Sequence, residues 1–161
     1  NGPFPLPKKS HLDGSWNLNY AWYFFDASTK KYFIDQSYPQ EILTNLIQQE
    51  LKINNPIHII GYSQGGYLAP FIGFELENTV QTIAINAEYK YKLLPQKKFN
   101  FSMHAINGVN DEIVDPINAQ NSHQKILSQG NSGQFVLLED TAHPINDQIT
   151  SILLKLINNY C

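Results

Sequence analysis

Cysteine is almost absent from the sequence: the single copy, Cys161, is also the last of 161 residues. One thiol cannot form an internal disulfide framework, and it cannot supply a zinc site built from cysteines. A fold that does not depend on oxidation is typical of a reducing compartment. We therefore expect a cytoplasmic protein.

Arginine is missing altogether, since all eleven basic residues are lysines, and fourteen acidic residues bring the net charge to −3. Proteins that bind duplex nucleic acid need clustered cations and often use the guanidinium fork of arginine, so we expect no nucleic-acid partner. No apolar run approaches the roughly 20 residues of a membrane span, and no signal-peptide pattern is present. The five histidines show no metal-ligand spacing such as H-E-x-x-H, so we expect neither a metal nor a cofactor.

Apolar residues, by contrast, make up 42% of the chain and charged residues only 16%, which is enough apolar side chain for a folded core. The length fits one domain over residues 1–161. Three prolines (Pro3, Pro5 and Pro7) and then Gly14, Asn17 and Asn19 predict an irregular lead over residues 1–38. The aromatic run YAWYFF at 20–25 has no strict alternation, and it fits a helix, a strand or a lining loop.

From Pro39 onwards, helical spacing of apolar residues alternates with short β-branched runs. The pattern predicts a helix from Pro39 that ends at NNP (54–56), a strand at 57–60, a helix after residue 66, and strands at 80–85 and 99–106. It then predicts a helix at 116–127, a strand at 135–138 and a last helix from Pro144. Strands that alternate with helices through short connections are typical of an α/β fold with a largely parallel sheet.

The segment GYSQG at 61–65 matches the nucleophile-elbow pattern G-x-S-x-G. This chemistry needs a serine at a sharp strand-to-helix turn, with small residues two positions away on either side so that strand and helix can pass closely. The segment lies between the apolar run IHII and a helical pattern, which is the context that the motif requires. Ser63 is therefore the candidate nucleophile, and the alternative is a Gly-Ser turn without chemical use.

A serine hydroxyl needs a base to take its proton and a carboxylate to orient that base. In sheets of this type the chain order is Ser, then Asp or Glu, then His, each after the carboxyl end of a strand. Asp111 follows the predicted strand at 99–106, and His143 follows the one at 135–138. Ser63, Asp111 and His143 are therefore the predicted catalytic residues.

Other residues compete for these roles. Asp115 is a weaker candidate for the acid because it begins the next predicted helix, where an N-cap role is expected. Glu139 and Asp140 precede His143 too closely to orient it easily. We expect structural roles for three of the other histidines, His58, His104 and His123. His11 lies in the lead and has no assigned role.

Several segments resemble one family. GYSQGG after IHII resembles the GFSQGG elbow of the phospholipase/carboxylesterase group, which includes acyl-protein thioesterases, and that of the related FSH-type serine hydrolases. Four further segments resemble parts of that family. Its proline-containing loop and Trp-Phe-Asp segment resemble NGPFPLP and AWYFFD. Its acid segment resembles NGVNDEIVDP, and its base segment resembles TAHPI. The resemblance covers about residues 1–145 and implies an α/β-hydrolase-like three-layer sandwich. It also implies an acyl-enzyme on Ser63, with His143 as general base and then acid, and with Asp111 orienting it.

The chain departs from the family pattern in three respects. Asp115 and Pro116 stand where the family usually has Val-Pro, which is a small change, and the lead has no obvious lid. The family also begins with a strand and a His-Gly-type loop that supplies the second oxyanion N–H, and no such segment precedes Asn1. We therefore expect an N-terminally short form of the fold, with the missing segment present in the native protein. The alternative is that residues 2–4 substitute for it.

These observations predict a serine esterase or thioesterase that acts on small or medium acyl esters. The backbone N–H of Gln64 is the expected oxyanion donor. Tyr62, Trp22 and Phe25 are candidates to line an acyl pocket, and ordinary packing is the alternative for all three. Two other functions stay open: a non-catalytic α/β-hydrolase-like binding or scaffold protein, and a peptidase.

Overall fold

The computed structural model describes residues 2–10, 12–26 and 28–159. The chain forms two compact units, Asn1–Lys52 and Ile53–Cys161. The single domain expected over residues 1–161 stays a prediction.

The first unit contains two antiparallel hairpins, so the predicted irregular lead over residues 1–38 is wrong. Strands β1 (Phe4–Lys9) and β2 (Trp16–Ala21) form one hairpin, and β3 (Phe24–Asp26) and β4 (Lys31–Ile34) form the other. The side chains of β1 and β2 are almost all exposed. No alternation of buried and exposed residues therefore marks these strands in the sequence.

The prolines that suggested a loop are compatible with strand β1. Pro5 pairs with Tyr20, and Pro7 pairs with Leu18, in the register of the hairpin. Because the two prolines are two residues apart, the positions without an N–H lie on the same side of the strand, and an edge strand tolerates proline there. The aromatic run at 20–25 covers the end of β2 and the start of β3.

A helix follows the hairpins. It comprises α1 (Ser37–Asn45), which continues as a π-helical turn over Leu46–Glu50. The predicted helix is confirmed, although it begins at Ser37 rather than at Pro39 and ends at Glu50, before the NNP segment at 54–56. Pro39 lies in the first turn, where a proline removes no hydrogen bond from the helix.

The second unit is built on four parallel strands: β5 (Ile57–Tyr62), β6 (Thr79–Ile85), β7 (Ser102–Gly108) and β8 (Phe135–Leu138). They pair in the order β5-β6-β7-β8. Strands that are consecutive in the chain are therefore neighbours, and their carboxyl ends meet at one edge of the sheet. The predicted α/β fold with a largely parallel sheet is confirmed.

Three helices accompany these strands: α2 (Gln64–Glu75), α3 (Pro116–Ser128) and α4 (Asp147–Asn158). The boundary predicted for the last of them, at Pro144, is wrong. The side chain of Asn146 accepts a hydrogen bond from the amide of Ile149 (3.0 Å) and so caps the helix after residue 146.

The predicted start of strand β7 at residue 99 is also wrong. The amide of Phe99 donates to the side chain of Asn131 (2.7 Å) rather than to a neighbouring strand. Regular pairing of the strand begins at Ser102, opposite Gln81 of β6.

Alternate residues of β6 face opposite sides of the sheet, and helices cover both sides. Ile83 shares a buried cluster with Ile149 of α4. Its neighbour Ala84 lies in a different cluster, with Phe71 of α2 and Ile126 of α3. The second unit therefore has three layers, with the sheet between the helices, as the resemblance implies.

The helices of the chain are short. Among the described residues, α3 has 13 residues and α1 with its π-helical turn has 9 plus 5, that is 14, whereas a bilayer span needs roughly 20 apolar ones. Within residues 2–10, 12–26 and 28–159, no helix combines the length and the apolar character that crossing a membrane requires.

Candidate active site

The turn between β5 and α2 carries Ser63. Its φ of 51° and ψ of −119° lie in a region that residues other than glycine rarely adopt. The amide of Ser63 donates to the carbonyl of Ile85 on β6 (2.8 Å), and its carbonyl accepts from the amides of Gly66 (2.9 Å) and Tyr67 (3.2 Å). The strained serine is therefore held by both the sheet and the helix.

Glycines allow the strand and the helix to approach each other at this turn. A Cβ atom at Gly61 would lie 2.1 Å from the carbonyl oxygen of Gly65, and one at Gly66 would lie 2.6 Å from the Cβ of Ala87. Both distances are far below the roughly 3.5–4.0 Å of an ordinary carbon contact. The packing of the turn therefore requires residues without side chains.

Three side chains that are distant in the sequence meet at the carboxyl edge of the sheet. His143 Nε2 lies 3.1 Å from Ser63 Oγ, and His143 Nδ1 lies 3.1 and 2.8 Å from the two carboxylate oxygens of Asp111. A carboxylate only accepts hydrogen bonds, so Nδ1 carries the proton and Nε2 accepts from the hydroxyl of Ser63. Such an arrangement can take a proton from the serine and stabilise the charge that then forms on the imidazole.

The Asp111 carboxylate is buried, with no exposed side-chain surface, whereas 12% of the His143 side chain is exposed. Asp111 Oδ1 also accepts from the amides of Ile113 and Val114, each at 2.9 Å. A buried charge is tolerated when it is paired and hydrogen-bonded, and these contacts meet both conditions. They also fix the carboxylate in the orientation that faces the imidazole.

The loops that carry Asp111 and His143 are joined through their backbones. The amide of Asn110 donates to the carbonyl of Thr141 (2.9 Å), two residues before His143. A Cβ atom at Gly108 would lie 2.1 Å from that same carbonyl oxygen. The close approach of the two loops therefore depends on glycine at position 108, which the sequence pattern did not reveal.

The competing acids lie elsewhere. Asp115 caps helix α3, as expected: its Oδ1 accepts from the amides of Ile117 (2.8 Å) and Asn118 (3.3 Å). Glu139 and Asp140 are both exposed. The carboxylate that is hydrogen-bonded to the imidazole is that of Asp111, as the preceding distances show.

The other described histidines make contacts of a structural kind. His58 Nδ1 lies 2.7 Å from the side-chain nitrogen of Gln81, and His123 Nε2 lies 2.9 Å from the carbonyl of Met103. His104 is buried within β7. Among the described residues, no three His, Cys, Asp or Glu side chains are grouped so that they could hold a metal ion.

Tyr62, a candidate for the acyl pocket, contacts the histidine of the site. Its hydroxyl donates to the carbonyl of His143 (3.1 Å), and the centres of the two rings are 5.2 Å apart. Burial, and then the negative charge of Asp111, raise the pKa of the Tyr62 hydroxyl above its ordinary value. The hydroxyl therefore stays protonated and available as a donor, while its place in a pocket stays a prediction.

The expected oxyanion donor is the backbone N–H of Gln64, and residues 2–4 are the alternative source of a second donor. Gln64 is the first residue of α2, where the helix dipole favours negative charge. Residues 2–4 lie in the first unit, where a Cβ atom at Gly2 would be 2.0 Å from the carbonyl oxygen of Ala21. Both assignments stay predictions.

The other two pocket candidates also belong to the first unit. Trp22 is half-buried. Phe25 is partly exposed, and its ring centre lies 4.8 Å from that of Tyr32. Their role in a pocket stays a prediction, and His11 lies outside the described residues.

Asn86 is a neighbour of the site that the sequence reasoning did not single out. It follows β6 directly, is fully buried, and its side-chain amide contacts the loop that carries His143. Its position in the sequence, directly after a predicted strand, could have identified it as a candidate. A polar residue directly after an apolar strand lies at the same edge of a parallel sheet as Ser63 and Asp111.

The sequence matches the family model described as phospholipase/carboxylesterase over residues 16–160. Among solved structures, esterase PE8 superposes with a TM-score of 0.71 at 16% identity, over 88% of this chain and 70% of that one. Acyl-protein thioesterase 2 of Zea mays gives 0.71 at 13% identity, over 96% and 78%. A carboxylesterase of Mesorhizobium loti gives 0.69 at 17% identity, over 98% and 72%. At these identities the similarity shows a shared fold, and no curated protein matches the sequence.

Proposed function

The chain belongs to the phospholipase/carboxylesterase family of hydrolases, and we propose that it is a serine hydrolase that cleaves small or medium acyl esters or thioesters. The observation that carries the proposal is the hydrogen-bonded row of Ser63, His143 and Asp111. Such a row activates a serine hydroxyl, which is otherwise a poor nucleophile.

In the first half of the proposed reaction, Ser63 Oγ attacks the acyl carbonyl carbon while His143 Nε2 takes the hydroxyl proton. Asp111 stabilises the resulting imidazolium. Collapse of the tetrahedral intermediate breaks the bond to the leaving oxygen or sulfur, and His143 gives its proton to that atom. An alcohol or thiol leaves, and the acyl group stays on Ser63.

In the second half, water attacks the carbonyl carbon of the acyl-enzyme while His143 takes a proton from the water. When the bond between the acyl carbon and Ser63 Oγ breaks, His143 returns the proton to Oγ. The carboxylic acid is released, and the enzyme regains its starting state. One water molecule is consumed for each ester or thioester cleaved.

The negative charge that develops on the carbonyl oxygen needs hydrogen-bond donors. We propose the backbone N–H of Gln64 as one of them, since it lies directly after the nucleophile in the first turn of α2. One such donor typically contributes about 3 kcal/mol of transition-state stabilisation.

Substitution of the nucleophile tests the proposal. We expect Ser63→Ala to lower the turnover of p-nitrophenyl acetate and butyrate by at least about 10³-fold, because the base then has no hydroxyl to activate. Ser128→Ala is the matched control, since it removes the hydroxyl of an exposed serine in α3. Circular dichroism checks that both variants keep the fold. Undiminished hydrolysis by Ser63→Ala would remove Ser63 from the mechanism.

Covalent labelling separates the proposed enzyme from a non-catalytic binding or scaffold protein. A fluorophosphonate probe reacts with an activated serine, so we expect it to label the wild type and Ser128→Ala but not Ser63→Ala. A wild type that is folded, yet neither labelled nor hydrolytic, would contradict the proposal.

A substrate panel addresses the finer assignment. Esters from acetate to octanoate, a matching thioester and a p-nitroanilide distinguish an esterase, a thioesterase and a peptidase that would share the same row of residues. We expect the short and medium esters or thioesters to be cleaved fastest. The cytoplasmic location and the small-molecule acyl partner stay predictions from the sequence.

A further inference from the structure

Asn86 occupies an unusual position between the loops of the site. It directly follows β6, the strand between the one that leads to Ser63 and the one that leads to Asp111. Its residue surface is completely buried, and its φ of 47° lies in the left-handed region, which asparagine tolerates better than most residues. Its own amide donates to the carbonyl of Ile106 on β7 (2.8 Å).

The side chain of Asn86 joins two other loops. Its Oδ1 accepts from the amide of Gly108, at the end of β7 (3.1 Å). Its Nδ2 donates to the carbonyls of His143 (2.5 Å) and Ala142 (3.3 Å). Because an N–H faces one end of the amide and two carbonyls face the other, the partners determine which atom is oxygen and which is nitrogen.

These contacts act on the backbone of the histidine rather than on its ring. The His143 carbonyl accepts from two donors, Asn86 Nδ2 and the Tyr62 hydroxyl. Asn86 itself is completely buried and its contact with this carbonyl is partly buried, whereas Tyr62 is 39% exposed. The His143 backbone is held by these two hydrogen bonds, and its ring is held by the hydrogen bonds to Asp111. Together these contacts fix the distance from His143 Nε2 to Ser63 Oγ.

We propose that Asn86 is a positioning residue, which holds the His143 peptide so that the imidazole stays within reach of Ser63. The proposal rests on the proposed function, because it assigns Asn86 a part in the same reaction. Asn86 itself does not touch the reacting atoms. Its effect is therefore expected in kcat and not in substrate binding, since misplacement of a catalytic group by about 1 Å costs on the order of 10²-fold.

Asn86→Gly removes the three side-chain hydrogen bonds but allows the left-handed backbone without steric cost. We expect kcat per competent active site to fall about 10–100-fold, with KM nearly unchanged. Competent sites are counted from the burst of p-nitrophenol, so that a smaller folded fraction is not mistaken for a slower site.

Asn131→Gly is the matched control. Asn131 is also buried, and its side chain likewise accepts from one amide, that of Phe99 (2.7 Å), and donates to two carbonyls, those of Ile126 (3.1 Å) and Lys97 (3.4 Å). It precedes β8, at the opposite edge of the sheet from the site. We expect it to lower stability without changing kcat per competent site.

A second readout does not depend on turnover. The proton on His143 Nδ1, bonded to Asp111, gives a low-field NMR resonance that reports the placement of the ring. We expect this resonance to shift or broaden in Asn86→Gly and to stay unchanged in Asn131→Gly. Unchanged kcat per competent site together with an unchanged resonance in Asn86→Gly would overturn the proposal and leave Asn86 a purely structural residue.

Asn86→Asp covers the case in which Asn86→Gly does not fold. It keeps the shape and the acceptor for the Gly108 amide, but on the alkaline side of the rate profile its ionised carboxylate can only accept. We expect a loss of kcat there at least as large as in Asn86→Gly, and a wild-type kcat would overturn the proposal. If the wild type hydrolyses neither an ester nor a thioester, the proposed function fails, while the resonance still decides whether Asn86 positions His143.

Discussion

At the residue scale, the backbone of the turn between β5 and α2 leaves no space for a side chain at Gly61. A Cβ atom at Gly61 would meet the Gly65 carbonyl oxygen at 2.1 Å. Gly130, just beyond α3, has a φ of 85°, yet no atom lies within 4 Å of the corresponding position. Gly61 is therefore required by packing, whereas Gly130 is favoured only by its backbone conformation.

We expect Gly61→Ala to lower the free energy of unfolding by roughly 3 kcal/mol or more, because the strand or the helix must move to admit a methyl group. Gly130→Ala is the matched control, for which left-handed strain costs about 1 kcal/mol. Urea denaturation of both variants measures the difference. Equal losses would show that the elbow is no more tightly packed than an open turn.

The sequence could nominate Ser63, Asp111 and His143 because each has a marker that is local: a five-residue motif for the serine, and a position after a predicted strand for the acid and the base. Their distances fit the reaction proposed for them, and their roles stay predictions. The contacts of Asn86 had no such marker. Its partners are backbone groups of Gly108 and of the loop before α4, and their proximity exists only once the sheet is formed.

At the element scale, the strands of the second unit have a local sequence pattern, whereas the strands of the first unit do not. The strands of the parallel sheet could be predicted because helices bury both faces of its inner strands, which selects continuous apolar runs such as the one at 83–85 of β6. The hairpins of the first unit could not, because most side chains of β1 and β2 face solvent and leave no period in the sequence. Boundaries failed where a side chain rather than hydrophobicity decided them, as at Asn146.

Two aspartates lie close together in the sequence just before helix α3, and they make different contacts. Asp115 bonds to the first amides of the helix, and Asp111 bonds to His143. We expect Asp115→Ala to lower the free energy of unfolding by about 1 kcal/mol through the loss of the N-cap, with kcat unchanged. We expect Asp111→Asn to lower kcat by about 10³–10⁴-fold, because an amide nitrogen facing Nδ1 favours the wrong tautomer.

Steady-state kinetics and thermal denaturation of the two variants separate these roles. In Asp111→Asn the side-chain oxygen can still accept from the amides of Ile113 and Val114, so a large loss of stability is not expected. A kcat that falls in Asp115→Ala but not in Asp111→Asn would exchange the two assignments.

At the scale of the whole molecule, the second unit buries two histidines beside its apolar clusters. His104 and His123 are 5% and 1% exposed. Burial, and secondarily the charge of His123, lower the pKa of His104 to about 4. Burial also lowers the pKa of His123, although its hydrogen bond to the Met103 carbonyl opposes the shift. Both side chains are therefore neutral in the folded chain, and protonating either one there costs free energy.

This burial predicts how stability depends on pH. In the unfolded chain His104 titrates near its ordinary value of 6.5, so between pH 6.5 and about 4 the unfolded state binds more protons than the folded state. The contribution of His104 is therefore complete above pH 6.5 and is lost as the pH falls through that range. We expect His104→Gln, which keeps an acceptor for the amide of Gln134, to reduce the loss of unfolding free energy between pH 7 and pH 4 by on the order of 2 kcal/mol. Urea titrations at a series of pH values measure this. If the curves of the variant and the wild type ran parallel, protonation of His104 would play no part in acid unfolding, and the remaining loss would have to come from His123 and the carboxylates.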